Sequence, residues 1–87
     1  MSYNLVIEMV KAYVLAKIAA GSDVEVSAQI MKLSDIKGAS TAYGFYDLII
    51  EVEFASMEKL DAFIFRELRK IPGVKETTTV IISKTLI

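Results

Sequence analysis

The sequence predicts an α+β domain of order β-α-β-β-α-β, and three features of its 87 residues carry that prediction. Apolar and polar side chains alternate with period two in several stretches, while two intervening segments repeat their apolar residues at helical spacing. The third feature is an internal repeat. Sliding the chain against itself by about 38 residues, as a search for repeats requires, brings Lys32-Leu33 over Lys70-Ile71, Ile36-Lys37 over Val74-Lys75, and Ser40-Thr41 over Thr78-Thr79. Asp23, Val26 and Ile30 fall over Asp61, Ile64 and Leu68. Each half is then one strand-helix-strand unit, and two interlocked units give a ferredoxin-like, four-stranded antiparallel sheet with both helices on one face.

The first strand is read from the Val, Ile, Leu and Tyr-rich run Tyr3 to Ile18, with Ala12, Val14, Ala16 and Ile18 on one face and Tyr13, Leu15 and Lys17 on the other. Leu5-Val6-Ile7 is extended in character; it either pairs with a partner chain or forms a loosely ordered tail. Gly21 breaks the strand, and Ser22 with Glu25 has the spacing of a capping box opening a helix to about Leu33. Val26, Ile30 and Leu33 face the sheet in that helix, and Glu25, Gln29 and Lys32 face water. A second strand, rich in small residues, is expected from Ile36 to Tyr43, ended by Gly44.

Strand three places Tyr46, Leu48, Ile50, Val52 and Phe54 on one face and Asp47, Ile49, Glu51 and Glu53 on the other. Ser56 is the expected N-cap of a helix from Met57 to Ile71, striped by Met57, Leu60, Ile64, Leu68 and Ile71 and flanked by Phe63 and Phe65. One of those two rings either meets a neighbouring subunit or completes the core. Pro72-Gly73 stops the helix. The last strand, Lys75 to Leu86, alternates Thr77, Thr79, Ile81 and Ser83 against Thr78, Val80, Ile82 and Lys84. The sheet face away from the helices is expected to carry Asp47, Ile49, Thr77 and Thr79, and to meet solvent or another subunit.

Composition narrows the function. A chain this short holds one domain, and 54% hydrophobic residues exceed what one small core hides, which favours an oligomer. A net charge of −1 lacks the basic footprint that phosphate neutralisation needs, so direct nucleic-acid binding is not expected. With no Cys and no His, thiolate nucleophiles, the commonest proton shuttle and ordinary zinc sites are excluded. Glu8, Lys11 and Lys17 interrupt the N-terminal apolar run, and no basic n-region or cleavage site frames it, so the chain reads as cytoplasmic with no membrane partner.

The sharpest chemical feature is Gly44-Phe45-Tyr46-Asp47, a turn ending in a carboxylate at the start of an apolar strand. In isolation Gly44 also reads as a plain hairpin turn and Asp47 as a solvated strand-start residue. Asp47 and Glu51 share a strand face, but at ~3.3 Å per residue they stand about 13 Å apart, too far to hold one metal ion. No metal, cofactor or catalytic residue is assigned.

Taken together, Lys11-Ala12-Tyr13-Val14-Leu15, the run Gly44 to Val52, and Ile71-Pro72-Gly73-Val74 leading to Thr77-x-Thr79 give a chain that resembles the effector-binding domain of the Lrp/AsnC transcription regulators. This is the RAM domain, for regulation of amino acid metabolism. The resemblance runs from about Lys11 to Leu86, with residues 1–10 as an extension and 11–87 as the domain. About ten residues precede strand one, too few for the helix-turn-helix usual in the family, so the chain resembles a stand-alone module. Ser34-Asp35 stands where the family often has Pro-Gly, and Phe45 where it often has a charged residue.

The resemblance implies a dimeric α+β barrel formed through open sheet faces, assembling further up to an octamer, with amino acids bound between dimers. A free amino acid offers an ammonium and a carboxylate, so its site needs an acceptor beside donors. Asp47 suits the ammonium; backbone N–H groups around Gly44 and the hydroxyls of Thr77 and Thr79 suit the carboxylate; Tyr46 packs with its ring and presents its hydroxyl. The expected function is thus a non-enzymatic amino-acid sensor that modulates assembly, in a homo-oligomer or with full-length Lrp/AsnC-type regulators. Two alternatives stand beside it: a small enzyme of the dimeric α+β barrel kind, using Tyr43, Asp47 or Glu51 as acid or base, and a ligand-free oligomerisation module.

Overall fold

The computed structural model describes residues 9–87. The expected pairing of Leu5-Val6-Ile7 lies outside these residues. Strands β1 (Val10–Ile18), β2 (Ile36–Thr41), β3 (Leu48–Phe54) and β4 (Val74–Ile81) alternate with helices α1 (Asp23–Ile30) and α2 (Met57–Arg66), and a 3-10 turn, Leu68–Lys70, follows α2. All three pairings are antiparallel and the sheet order is β2-β3-β1-β4, the ferredoxin-like order predicted from the repeat.

One face of the sheet is the core. Ala12, Val14 and Ala16 of β1 stand opposite Val52, Ile50 and Leu48 of β3, and all six are buried. Val26 and Ile30 of α1 and Leu60, Phe63 and Ile64 of α2 cover them, with Leu68 and Ile71 closing the end. Residues matched by the repeat, Val26 with Ile64 and Ile30 with Leu68, are buried in both halves. Each fully buried side chain of this size contributes about 1.5–3 kcal/mol. Phe63 completes the core against Phe54 at 5.3 Å between ring centroids, whereas Phe65 stays exposed with Arg69 stacked over it. Met57, placed in the apolar stripe by its spacing, is 43% exposed.

Four element ends differ from expectation, the first being β2, which stops at Thr41 rather than Tyr43. After Ile30 the amides of Lys32 and Leu33 bond to Gln29 and Ile30, three residues back, so α1 tightens before Leu33, which still packs on the core. The end of α2 tightens in the same way, with Ile71 N–H donating to Leu68. Strand β4 ends at Ile81 rather than Leu86, because β1, its one neighbour among the described residues, begins at Val10, and Ile82 N–H takes up the carbonyl of Lys11. The capping box also fails: Ser56 accepts a hydrogen bond from Lys59 N–H at 3.2 Å, but Ser22 makes no side-chain cap.

The opposite, open face carries Lys11, Tyr13, Leu15 and Lys17 of β1 and Ile49, Glu51 and Glu53 of β3, directly across from Leu15, Tyr13 and Lys11 respectively. Register decides β4. Directly opposed residues of an antiparallel pair point to the same face, and Thr77 and Thr79 oppose the buried Ala16 and Val14. They therefore lie on the helix side. The expectation that they share the open face with Asp47 is corrected: Thr78 and Val80, opposite Leu15 and Tyr13, hold those positions. Asp47 shares a cleft with Asp23 and Ser27 of α1, and Tyr46, expected on the face of Leu48 and Ile50, reaches Thr78, because both residues precede β3 and do not follow its alternation. Among the described residues no helix is long and apolar enough to cross a membrane.

Candidate functional site

The loop between β2 and β3 is held at the end of the sheet by Asp47. Its N–H donates to Ala16 at 2.9 Å, its carbonyl accepts from Ala42 N–H at 2.9 Å, and its Oδ2 accepts from Ile18 N–H at 2.8 Å. The register of β1 shifts between Lys17 and Ile18, and the carboxylate satisfies the amide that the shift leaves without a strand partner. Asp47 is thus half-buried and fixed in direction, with a structural duty of its own. Gly44 has φ +141, a conformation that a side chain makes costly, and a Cβ there would meet nothing within 4 Å. Its requirement is the backbone conformation, which lets the loop turn back into β3.

Beside Asp47 opens a cleft of about 590 Å³, walled by Ile18, Gly21, Asp23, Ser27 and Tyr43. The start of α1, the end of β1 and the β2–β3 loop converge here. The ring of Tyr43 is fully exposed at its rim. The cleft's lining residues supply two carboxylates, the hydroxyls of Ser27 and Thr41 and a phenol, and no lysine or arginine lines it. Such a lining accepts an ammonium and leaves an anionic group to backbone donors. A second cleft of about 580 Å³, at the far end of the sheet beside Phe54 and Phe63, holds none of the predicted site residues.

Of the five predicted site residues, Asp47 alone lines the cleft. Gly44 shapes the loop. Tyr46 turns away from the cleft, its hydroxyl 2.6 Å from Thr78 Oγ1 and its ring edge-on to Phe45 at 5.0 Å. Thr77 and Thr79 sit on the helix side of edge strand β4. Tyr43 and Asp47, two of the groups weighed as acid or base, share the cleft, while Glu51 projects from the open face.

The sequence reading missed two groups. Asp23 and Ser27 of α1 line the cleft; the first was absorbed into the helix start and the second carried no signal. It also missed a cluster beside the loop, where Lys17 Nζ lies 3.7 Å from the Phe45 ring centroid and 3.7 Å from Glu76 Oε2. Phe45, standing where a charge was expected, meets a cation through its ring face instead.

The family model for the Lrp/AsnC ligand binding domain matches residues 11–87. The chain is 32% identical over 74 residues to the HTH-type transcriptional regulator FL11 of Pyrococcus abyssi, an alignment covering 85% of this chain and 48% of the relative. It thus spans about half the length of the curated relatives it matches. Among solved structures, FFRP-DM1 superposes with a TM-score of 0.78 at 38% identity, covering 84% of this chain and 97% of the other. A transcriptional regulator of Neisseria meningitidis in complex with L-Met superposes with a TM-score of 0.82 at 18% identity over 90% of this chain and 52% of the other, a likeness of fold alone.

Proposed function

The chain belongs to the Lrp/AsnC ligand-binding domain family, and from that premise we propose that it senses a free amino acid or a related small effector and passes the binding event to subunit assembly. The observation that carries this reading is Asp47: a carboxylate locked by Ile18 N–H at the mouth of a cleft of about 590 Å³. One oxygen is held by the sheet, and the other is the acceptor for an ammonium. Ser27 supplies a hydroxyl, Tyr43 an aromatic wall, and Gly44 the backbone turn that keeps Asp47 in place. The L-Met complex of the Neisseria regulator supports the effector class.

Residues 11–87 act as the sensing domain and 1–10 as an extension to it. Copies assemble through the open sheet face into the dimeric barrel and higher oligomers, alone or mixed with full-length regulators. Their site completes the effector's surroundings between subunits. Tyr46, through Thr78, ties the loop to β4 and so joins the cleft to that face. Thr77 and Thr79 touch the effector only where a second subunit brings it to the helix side of β4. The net charge of −1 leaves nucleic-acid contact to a partner. A protein of this kind works in the cytoplasm and catalyses nothing.

Calorimetric titration of the chain with a panel of proteinogenic amino acids, paired with thermal melts, tests the proposal. Binding to the assembled state stabilises it by about 2.7 kcal/mol per site at a hundredfold excess over the dissociation constant, so at least one amino acid at millimolar concentration raises the melting temperature or changes the assembly mass. Asp47→Asn, which keeps an oxygen for Ile18 N–H, removes that response and keeps the fold. A panel without heat, shift or mass change rejects the sensor reading.

A further inference from the structure

The open sheet face is divided along β1 and β3. Toward Ile18 it carries Leu15 opposite Ile49, with Phe45 and Tyr46 at its border, and its charges there, Lys17 and Glu76, are already paired with one another. Toward Val10 it is charged: Lys11 stands directly opposite Glu53, and Tyr13 opposite Glu51. Lys84, beyond the end of β4, joins them around a hollow of about 340 Å³ lined by Lys11, Tyr13, Glu51, Glu53 and Lys84. Glu51 reaches across to β2, where its Oε1 is 3.8 Å from the position a Cβ would take on Gly38, so the face is bare of side chain at that point.

These four charges have no ion-pair partner among the described residues, where the one salt bridge is Lys17 to Glu76. Lys11 and Glu53 are neighbours in register and still do not close on one another within 4.0 Å. Covering unpaired charges is costly, and like charges set face to face cost more. The patch holds two positive and two negative groups. A wholly acidic or wholly basic partner would leave two of them facing their own sign. A second copy related by a twofold axis presents both signs, and any register that sets a glutamate on a lysine makes that contact twice.

We propose that Lys11 and Lys84, set against Glu51 and Glu53, form a self-complementary charge code on the open sheet face that fixes the register in which a second copy of this chain docks. The inference rests on the reading that another subunit covers this face, and names the partner and the groups that select it. The half toward Ile18 supplies adhesion without register; the charged half supplies register and rejects partners with like charges at the matching positions.

The test measures the assembly of the full chain by sedimentation equilibrium and native mass spectrometry. The double variants Glu51→Lys/Glu53→Lys and Lys11→Glu/Lys84→Glu each weaken self-association by about a hundredfold or more, with circular dichroism unchanged because all four side chains lie outside the core. Mixing the two restores a one-to-one mixed dimer of near wild-type affinity. If either variant self-associates like the parent chain, or the mixture forms no mixed dimer, the code is wrong although the face is covered. A parent chain that stays monomeric at every concentration overturns the covered-face reading itself, and the code with it.

Discussion

The two halves of the repeat begin their helices with the same residue and treat it differently. Ser56 is extended, with φ −154 and ψ 162, and its hydroxyl accepts from Lys59 N–H; Ser22, with φ −101 and ψ 7, caps nothing. The difference comes from the other end of the chain. Ala19 N–H donates to Gly73 at 2.7 Å, drawing the start of β4 against the start of α1, and a Cβ on Gly73 would stand 2.8 Å from both Ser22 Cβ and Val26 Cγ2. Ser22 therefore serves as a packing surface where Ser56 serves as a cap. The halves also share the core unequally. Helix α2 buries Leu60, Phe63 and Ile64, whereas α1 buries Val26 and Ile30. The weaker half borders the cleft beside Asp47, since Asp23 and Ser27 belong to α1. Local stability is lowest where few apolar contacts hold an element, and binding regions are drawn from that end.

This contrast can be broken most strongly in the α2 half. Phe63→Ala removes a fully buried ring packed on Phe54 and is expected to cost about 3–5 kcal/mol in urea-unfolding free energy. A loss under half that value would mean that α1, not α2, anchors the core. Gly73→Ala comes next. Its φ of +100 and the 2.8 Å contacts oppose any side chain, and the backbone conformation alone costs about 1–3 kcal/mol. The same unfolding curve would show an unchanged midpoint if β4 and α1 could separate without penalty. The serines sharpen the comparison at the smallest scale: Ser56→Ala is expected to cost about 1 kcal/mol, and Ser22→Ala less than about 0.5 kcal/mol. Equal losses at the two positions would show that Ser22 caps α1 in solution.

How far the sequence could be read depends on how distinct neighbouring side chains are. In β3, the alternation of Leu48, Ile50 and Val52 with Ile49, Glu51 and Glu53 determined the faces, because a one-residue slip would bury glutamates. The helical stripes and the repeat likewise determined element order and fold, and the motif ending in Asp47 marked the carboxylate that the sheet end holds. In β4, Thr77, Thr78 and Thr79 are chemically identical, so no periodicity could choose a face. Pairing of Thr77 with Ala16 and Thr79 with Val14 chose it, and turned Thr78 toward Tyr46. The tertiary structure alone decided that Asp23, Ser27 and Tyr43 meet Asp47 in one cleft, and that Lys17 lies against Phe45. Those groups come from separate elements with no local signal, and contacts between them exist only once the core has brought the ends of β1, β2 and α1 together.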